Sequence, residues 1–199
     1  MKKIWYVYPM NHLVSFRLIA ERHIEQLRKK FSIQEIDETG FLNIYPYSSP
    51  TTIIHPLLYI TGKDFEKFVH IRSKMSCVVG VEVADSDRVS WKAVSLCNLC
   101  DALIVPSTFA KKSYINSGVN IPVHIVPHGL GKHFYKSRVE PENSMLKLVR
   151  KMKEKRGYVY LLFFLWHSGF RKGVDLVYKV VKEVQRARDN VVLLLKSSV

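Results

Sequence analysis

Residues 101 to 130 read DALIVPSTFAKKSYINSGVNIPVHIVPHGL, a succession that admits few folds. Ala102 to Val105 is a short apolar run that Pro106 ends, because proline has no amide to give to a ladder and is kept out of central strands. Ser107 suits a helix N-cap, its hydroxyl accepting an orphan amide of the next turn, and Gly118 stands where a left-handed C-terminal cap is wanted. A helix of about eleven residues is predicted between them, with Phe109, Tyr114 and Ile115 facing a core. Ile121 to Val126 returns as a second apolar strand. The PHG behind it puts His128 and Gly129 at a strand's carboxyl end, where open α/β sheets take ligands, and Gly129 is expected there for close backbone approach or a positive φ. Strand, helix, strand of this length predicts a parallel, right-handed unit.

The same alternation runs through the preceding hundred residues. Ile4 to Tyr8 reads as a buried first strand and not as a signal peptide, since Pro9, Asn11 and His12 interrupt its apolar core. Ser15 is placed to cap a helix whose Phe16, Ile19, Ala20, Ile24 and Leu27 keep helical spacing, and a short strand follows near Ser32 to Ile36. The Pro-, Ser-, Thr- and Tyr-rich tract from Thr39 to Gly62 predicts loops and one short strand. Asp64 to Met75 suits an amphipathic helix, Cys77 to Val83 a strand, and Ser86 the cap of a helix running to about Asn98. A doubly wound parallel sheet of Rossmann-like type, residues 1–131, is the predicted fold class. Residues 132–156 change character to a linker and basic helix. Residues 157–199 hold an apolar strand (Tyr158 to Leu165), a turn, a helix (Val174 to Arg186) and a strand (Val191 to Leu195). One βαβ unit does not cover both faces of a parallel sheet, so this reads as the first part of a second Rossmann-like domain.

Composition narrows the function classes. The chain has 199 residues, 47% hydrophobic and 12% aromatic, ample for a packed core. There is no run of about 18 uninterrupted apolar residues. Three cysteines, Cys77, Cys97 and Cys100, lie in predicted strand or helix positions and read as reduced, buried thiols, which favours a cytoplasmic setting. Cys97 and Cys100 form a CxxC without a redox βα context or a second ligand pair. The net charge is +14, and residues 132–199 carry 16 Lys or Arg against 6 Asp or Glu. Such a field attracts phosphates in nucleotide sugars, anionic lipid headgroups or nucleic acid. A solvated helix face explains residues 147–156 equally well.

Three short motifs in order carry a resemblance: DALIVPS, then VPHG, then RKGVD. Their sequence and separations, over about residues 77 to 196, resemble those of family 4 glycosyltransferases, whose GT-B fold pairs two Rossmann-like domains. The resemblance implies transfer of a sugar, with retention, from a nucleoside-diphosphate donor to a hydroxyl acceptor on a glycan, lipid or protein, with no metal and no other cofactor. It implies donor contacts at His128, Gly129, Arg171, Lys172 and Gly173. Lys172 matches the family's diphosphate-neutralising lysine, while the family's upstream GR falls on Trp166 or His167, leaving Arg171 as substitute or as a surface arginine. The residues agree: two cations ahead of a helix start at Gly173 can converge with free amides on a diphosphate.

In the first domain GVEVADSD puts Glu82, Asp85 and Asp87 at a strand's carboxyl end, and Glu82 and Asp85 are the catalytic candidates, able to orient sugar hydroxyls, steady an oxocarbenium ion or accept a proton. Asp85 or Ser86 equally suits a helix cap. The first βα loop, PMNHLVS, lacks the family's glycines and offers Asn11, His12 and Ser15 as acceptor contacts, although a lone loop histidine is commonly a solvent residue.

The family's Glu-x7-Glu segment would lie beyond Val199, which leaves a second reading open: a non-catalytic binding or assembly module whose incomplete second unit pairs with another copy or a complementary subunit. The basic helix near Met145 to Arg156 adds peripheral contact with an anionic membrane as an option. Nucleic acid binding lacks a recognition motif and is set aside.

Overall fold

A computed structural model describes residues 2–12, 14–44, 50–129, 143–165 and 172–197. The chain divides into two compact units, Met1–Gly131 and Lys132–Val199. The first alternates β1 (Lys3–Tyr8), α1 (Ser15–Leu27), β2 (Ser32–Asp37), α2 (Glu38–Phe41), β3 (Thr51–Ile54), α3 (Leu57–Thr61), α4 (Phe65–Arg72), β4 (Cys77–Val81), α5 (Trp91–Asn98), β5 (Ala102–Val105), α6 (Thr108–Asn116) and β6 (Val123–Ile125). Its six strands form one parallel sheet in the order β2-β1-β3-β4-β5-β6. This is the Rossmann-like, doubly wound architecture that the alternation predicts.

The pleat divides the core in two. On β1, Trp5 and Val7 face one way and join Phe41 of α2, Leu57 and Ile60 of α3, Phe68 and Ile71 of α4, Leu96 of α5 and Tyr114 of α6. Ile4, Tyr6 and Tyr8 face the other way and join Ala20 and Ile24 of α1. Alternate side chains of one strand therefore feed two layers, which is why β1 reads as a nearly continuous apolar run. The order of strands reverses between β1 and β3: the chain leaves β1 toward β2 on one side and later returns to build β3 to β6 on the other. Crevices outside the carboxyl ends of strands at such a reversal are where open α/β sheets bind ligands.

In the second unit α7 (Ser144–Arg156) precedes β7 (Val159–Leu165), α8 (Val174–Ala187) and β8 (Val191–Ser197). β7 and β8 pair in parallel from Val159↔Val191 to Leu165↔Ser197. Val181 and Val191 are buried, whereas Leu161, Leu162 and Phe164 of β7 and Leu176, Tyr178 and Val180 of α8 are exposed. Among the described residues no helix is long and apolar enough to cross a membrane.

Several local expectations are corrected. Phe109 and Ile115 are 52% and 47% exposed, and only Tyr114 of that trio enters the core, because α6 presents one narrow stripe to the sheet. Ser86 does not start a helix: α5 begins at Trp91, and Ser90 is its cap, accepting from the amide of Ala93 at 3.2 Å. Ser15 is the first helical residue of α1, with Val14 at the cap position and no capping side chain. Two short helices, α2 and α3, occupy the tract read as loops. Ser107 caps α6 as expected, accepting from the amide of Ala110 at 3.1 Å, and Gly118 has φ 108°.

Candidate functional site

His23 and His55 meet at the strand-order reversal, within electrostatic reach of His128. His55 follows β3 directly, and its amide donates to the carbonyl of Val7 at 2.9 Å, extending the β1–β3 ladder past the last paired residues. Its ring is stacked on that of His23 from α1, centroids 5.8 Å apart and 25° between planes, and meets Phe16 edge to face at 5.6 Å. His23 Nδ1 is 2.8 Å from the hydroxyl of Tyr6 in β1. His128, beyond β6, acts electrostatically on both rings.

Burial sets the charge of this cluster. His55 is 0% exposed, and neither ring nitrogen has a hydrogen-bond partner among the described residues. Burial, reinforced by repulsion from His23 and then His128, lowers its pKa to about 3. Burial also lowers the pKa of His23, with a further contribution from His128. His128 is exposed over much of its surface, yet desolvation by the protein around its ring lowers its pKa as well. Near neutral pH the rings are uncharged bases with proton-accepting capacity in reserve. Tyr6 is held in its protonated form, burial and the neighbouring Tyr8 raising its pKa far above the usual value.

The carboxyl end of β2 organises the first βα loop. Asp37 accepts from the amide of Met10 at 3.2 Å, from Asn11 Nδ2 at 3.1 Å and from the amide of Thr39 at 3.0 Å. Burial alone would raise its pKa, but the hydrogen bonds from Thr39, Met10 and Asn11 outweigh it and leave the carboxyl below its ordinary value. Glu38 beside it is 3% exposed, and its Oε1 lies 3.6 Å from His12 Nε2 and 3.7 Å from Lys63 Nζ. Asn11 and His12, two of the expected acceptor contacts, are thus exposed residues held by Asp37 of β2 and Glu38 of α2. Ser15 is exposed at the start of α1.

At the end of β4, Glu82 does not line an open cleft as expected. It is 6% exposed, and its Oε2 accepts from the amide of Leu58 at 2.8 Å and its Oε1 from its neighbour Val83 at 3.0 Å. Oε2 meets the amide of Leu58 because α3 starts at this level and its first turn needs acceptors, while Oε1 is held by the next amide along the chain. Burial lifts the carboxyl to about 7, the two amide bonds pulling the other way and Asp85 adding a smaller push upward. Asp85 and Asp87 are exposed.

On the donor side, His128 and Gly129 follow β6 and are exposed. A Cβ at Gly129 would meet nothing within 4 Å, and its φ is not left-handed, so neither close approach nor positive φ explains the glycine. Arg171, Trp166 and His167 lie outside the described residues. Lys172 is exposed immediately before Gly173, which has φ 69° at the N-cap of α8, where no side chain caps the helix; Asp175 lies in the first turn. Among the described residues no group of three His, Cys, Asp or Glu is spaced to hold a metal ion. Cys97 and Cys100 are buried free thiols, both pushed up in pKa by burial, Cys100 to about 12, which does not suit redox chemistry.

Neither His23 nor His55 stands out in the sequence as a site residue. His23 does carry a signal, falling seven residues after Phe16 and three after Ala20, on the apolar stripe of α1. His55 carries none, since it lies in the tract that reads as loops.

No protein-family model matches the chain. It is 34% identical over 207 aligned positions to "Uncharacterized protein 356" of Sulfolobus islandicus rod-shaped virus 1, an alignment that covers 98% of this chain and 57% of that protein. The chain therefore spans little more than half the length of this curated relative.

Proposed function

We propose that the chain forms the acceptor-side unit and the opening of the donor-side unit of a retaining GT-B glycosyltransferase, which moves a hexose from a nucleoside-diphosphate sugar to a hydroxyl acceptor. The start of α8 carries the reading. Gly173 turns the backbone with a left-handed φ and has no side chain to cap the helix, and Lys172 stands just before it. A diphosphate is the ligand that a cation and a helix N-terminus attract together.

In this reading Lys172 and Arg171 stabilise the departing diphosphate. Asn11, His12 and Ser15 face the acceptor. Of the two carboxylates expected to do chemistry, Asp85 has the exposure to reach substrate, while Glu82 acts from below by fixing the start of α3. Isothermal titration against a panel of nucleoside-diphosphate sugars tests it. One donor should bind, and Lys172→Ala should weaken it by about tenfold or more, the scale of a charge-assisted phosphate contact. Absence of donor binding, or binding indifferent to Lys172, removes the support.

The bare apolar surface of the second unit favours a second reading, an assembly module. Leu161, Leu162 and Phe164 with Leu176, Tyr178 and Val180 present the kind of surface that a further layer covers. Concentration-dependent association in sedimentation velocity, without donor binding, selects it.

A further inference from the structure

We infer that His23, His55 and His128 form a phosphate-binding site in the β1/β3 crevice of the first unit, one that gains protons when the anion arrives. It requires only the first unit and stands whether or not the chain transfers sugar. Exposure grades the three rings, from His55, fully buried, through half-buried His23 to exposed His128. They come from three separate elements, the end of β3, the middle of α1 and the segment after β6.

His55 is the central observation. Whichever tautomer it adopts, one ring nitrogen is a donor and the other an acceptor, and among the described residues neither has a partner in this buried setting. Buried polar groups are ordinarily paired, and an orphan of this kind is destabilising. Stacking on His23 and the edge contact with Phe16 satisfy neither nitrogen. A phosphate oxygen supplies the acceptor that a ring N–H lacks, and its charge favours the protonated ring.

The charges around the rings point to the same ligand. Among the described residues the electrostatic influences on His55 come from His23 and His128, both repulsive, with no carboxylate to balance them; Tyr6, which meets His23 from β1, stays neutral. A cation would add to that repulsion, and among the described residues no three ligands are spaced to hold a metal. An anion reverses it, raising the proton affinity of each ring. Proton uptake and anion binding are then linked, so the affinity for phosphate rises as the pH falls toward the ordinary histidine range.

The test is a titration of the whole ¹⁵N-labelled chain at pH about 6.5, reading the imidazole nitrogens in long-range ¹H–¹⁵N spectra. Orthophosphate, pyrophosphate and glycerol phosphate are the probes, against sodium chloride at matched ionic strength. The nitrogens of His23, His55 and His128 should move together toward imidazolium with a phosphate probe and not with chloride. His55→Gln should weaken binding by about tenfold or more, and so should His128→Gln, whose exposed position leaves folding intact; exposed His70→Gln should do nothing. Tighter binding of pyrophosphate assigns the site to a nucleotide's diphosphate, and tighter binding of glycerol phosphate assigns it to a phosphorylated acceptor. Rings that do not move with any probe, or that move equally with chloride, overturn the proposal. Phosphate binding that survives Lys172→Ala separates it from the donor reading.

Discussion

Glu82 Oε2 accepts a 2.8 Å hydrogen bond from the amide of Leu58, tying the carboxyl end of β4 to the first turn of α3. The bond places an acid where helix amides need an acceptor, but in surroundings dry enough to lift its pKa from 4.5 to about 7. Because the folded state holds the proton more tightly than the unfolded chain, this residue's favourable contribution is complete below about pH 4.5 and is lost as the pH rises through 7. The loss is on the order of 3 kcal/mol by pH 8. Glu82→Gln should flatten that part of the stability profile, measured by urea unfolding from pH 4.5 to 8. Parallel profiles for the two proteins would show that the carboxyl titrates normally.

His55 has the opposite sign. Its folded pKa of about 3 lies below the ordinary value of 6.5, so its neutral form contributes fully above pH 6.5 and the contribution falls away as the pH drops toward 3. At pH 5 the loss is about 2 kcal/mol. His55→Phe removes two unpartnered nitrogens and keeps a ring between His23 and Phe16. The variant should gain in Tm over the parent at pH 5 and gain less at pH 8. An equal change at both values would place the effect in packing and not in protonation.

The frame of this fold was legible because its strands are covered on both faces. Ile4 to Tyr8 and Ala102 to Val105 read as strands from apolar continuity alone, and Ser107 and Gly118 bracket α6 because capping is local chemistry. What the sequence did not disclose depends on distant partners. Phe109 and Ile115 have helical spacing suited to burial, but nothing in the sequence says how wide a stripe α6 shows to the sheet. Glu82 reads as a cleft carboxylate because nothing near it in the sequence shows that the start of α3 supplies a donor and that the side chain is buried. The histidine cluster was hidden for the same reason, since His23 and His55 are brought together by the return of the chain from β2 across β1 to β3.

Gly80 of β4 leaves no room for a side chain. A Cβ there would stand 2.7 Å from Leu57 Cδ2 and 3.1 Å from Leu103 Cδ1, and both leucines are fully buried. Overpacked cores lose about 1–3 kcal/mol. Gly80→Ala should lower stability by that amount in urea unfolding, and Gly80→Ala combined with Leu57→Val, which withdraws the clashing end, should recover part of it. A neutral single variant would mean that Leu57 has room to turn aside.

Asp101, the first residue of the DALIVPS motif, serves the scaffold. Its Oδ2 accepts from the amide of Val78 at 2.6 Å and from Arg72 Nη2 at 2.7 Å, while Arg72 Nε donates to the carbonyl of Leu99 at 2.7 Å. One carboxylate thus joins the start of β4, the end of α4 and the entrance to β5. The carboxylate side chain is 44% exposed, so solvent screens its attraction to Arg72, and the amide of Val78 is the partner that suffers most when it is removed. Asp101→Ala should lower stability by about 1–2 kcal/mol through that unpaired amide, while Asp101→Asn, which retains an acceptor, should lose less. Hydrogen exchange at Val78 is the direct readout. The amide should exchange faster in Asp101→Ala than in Asp101→Asn, and equal protection in the two variants would show that water replaces the carboxylate without loss.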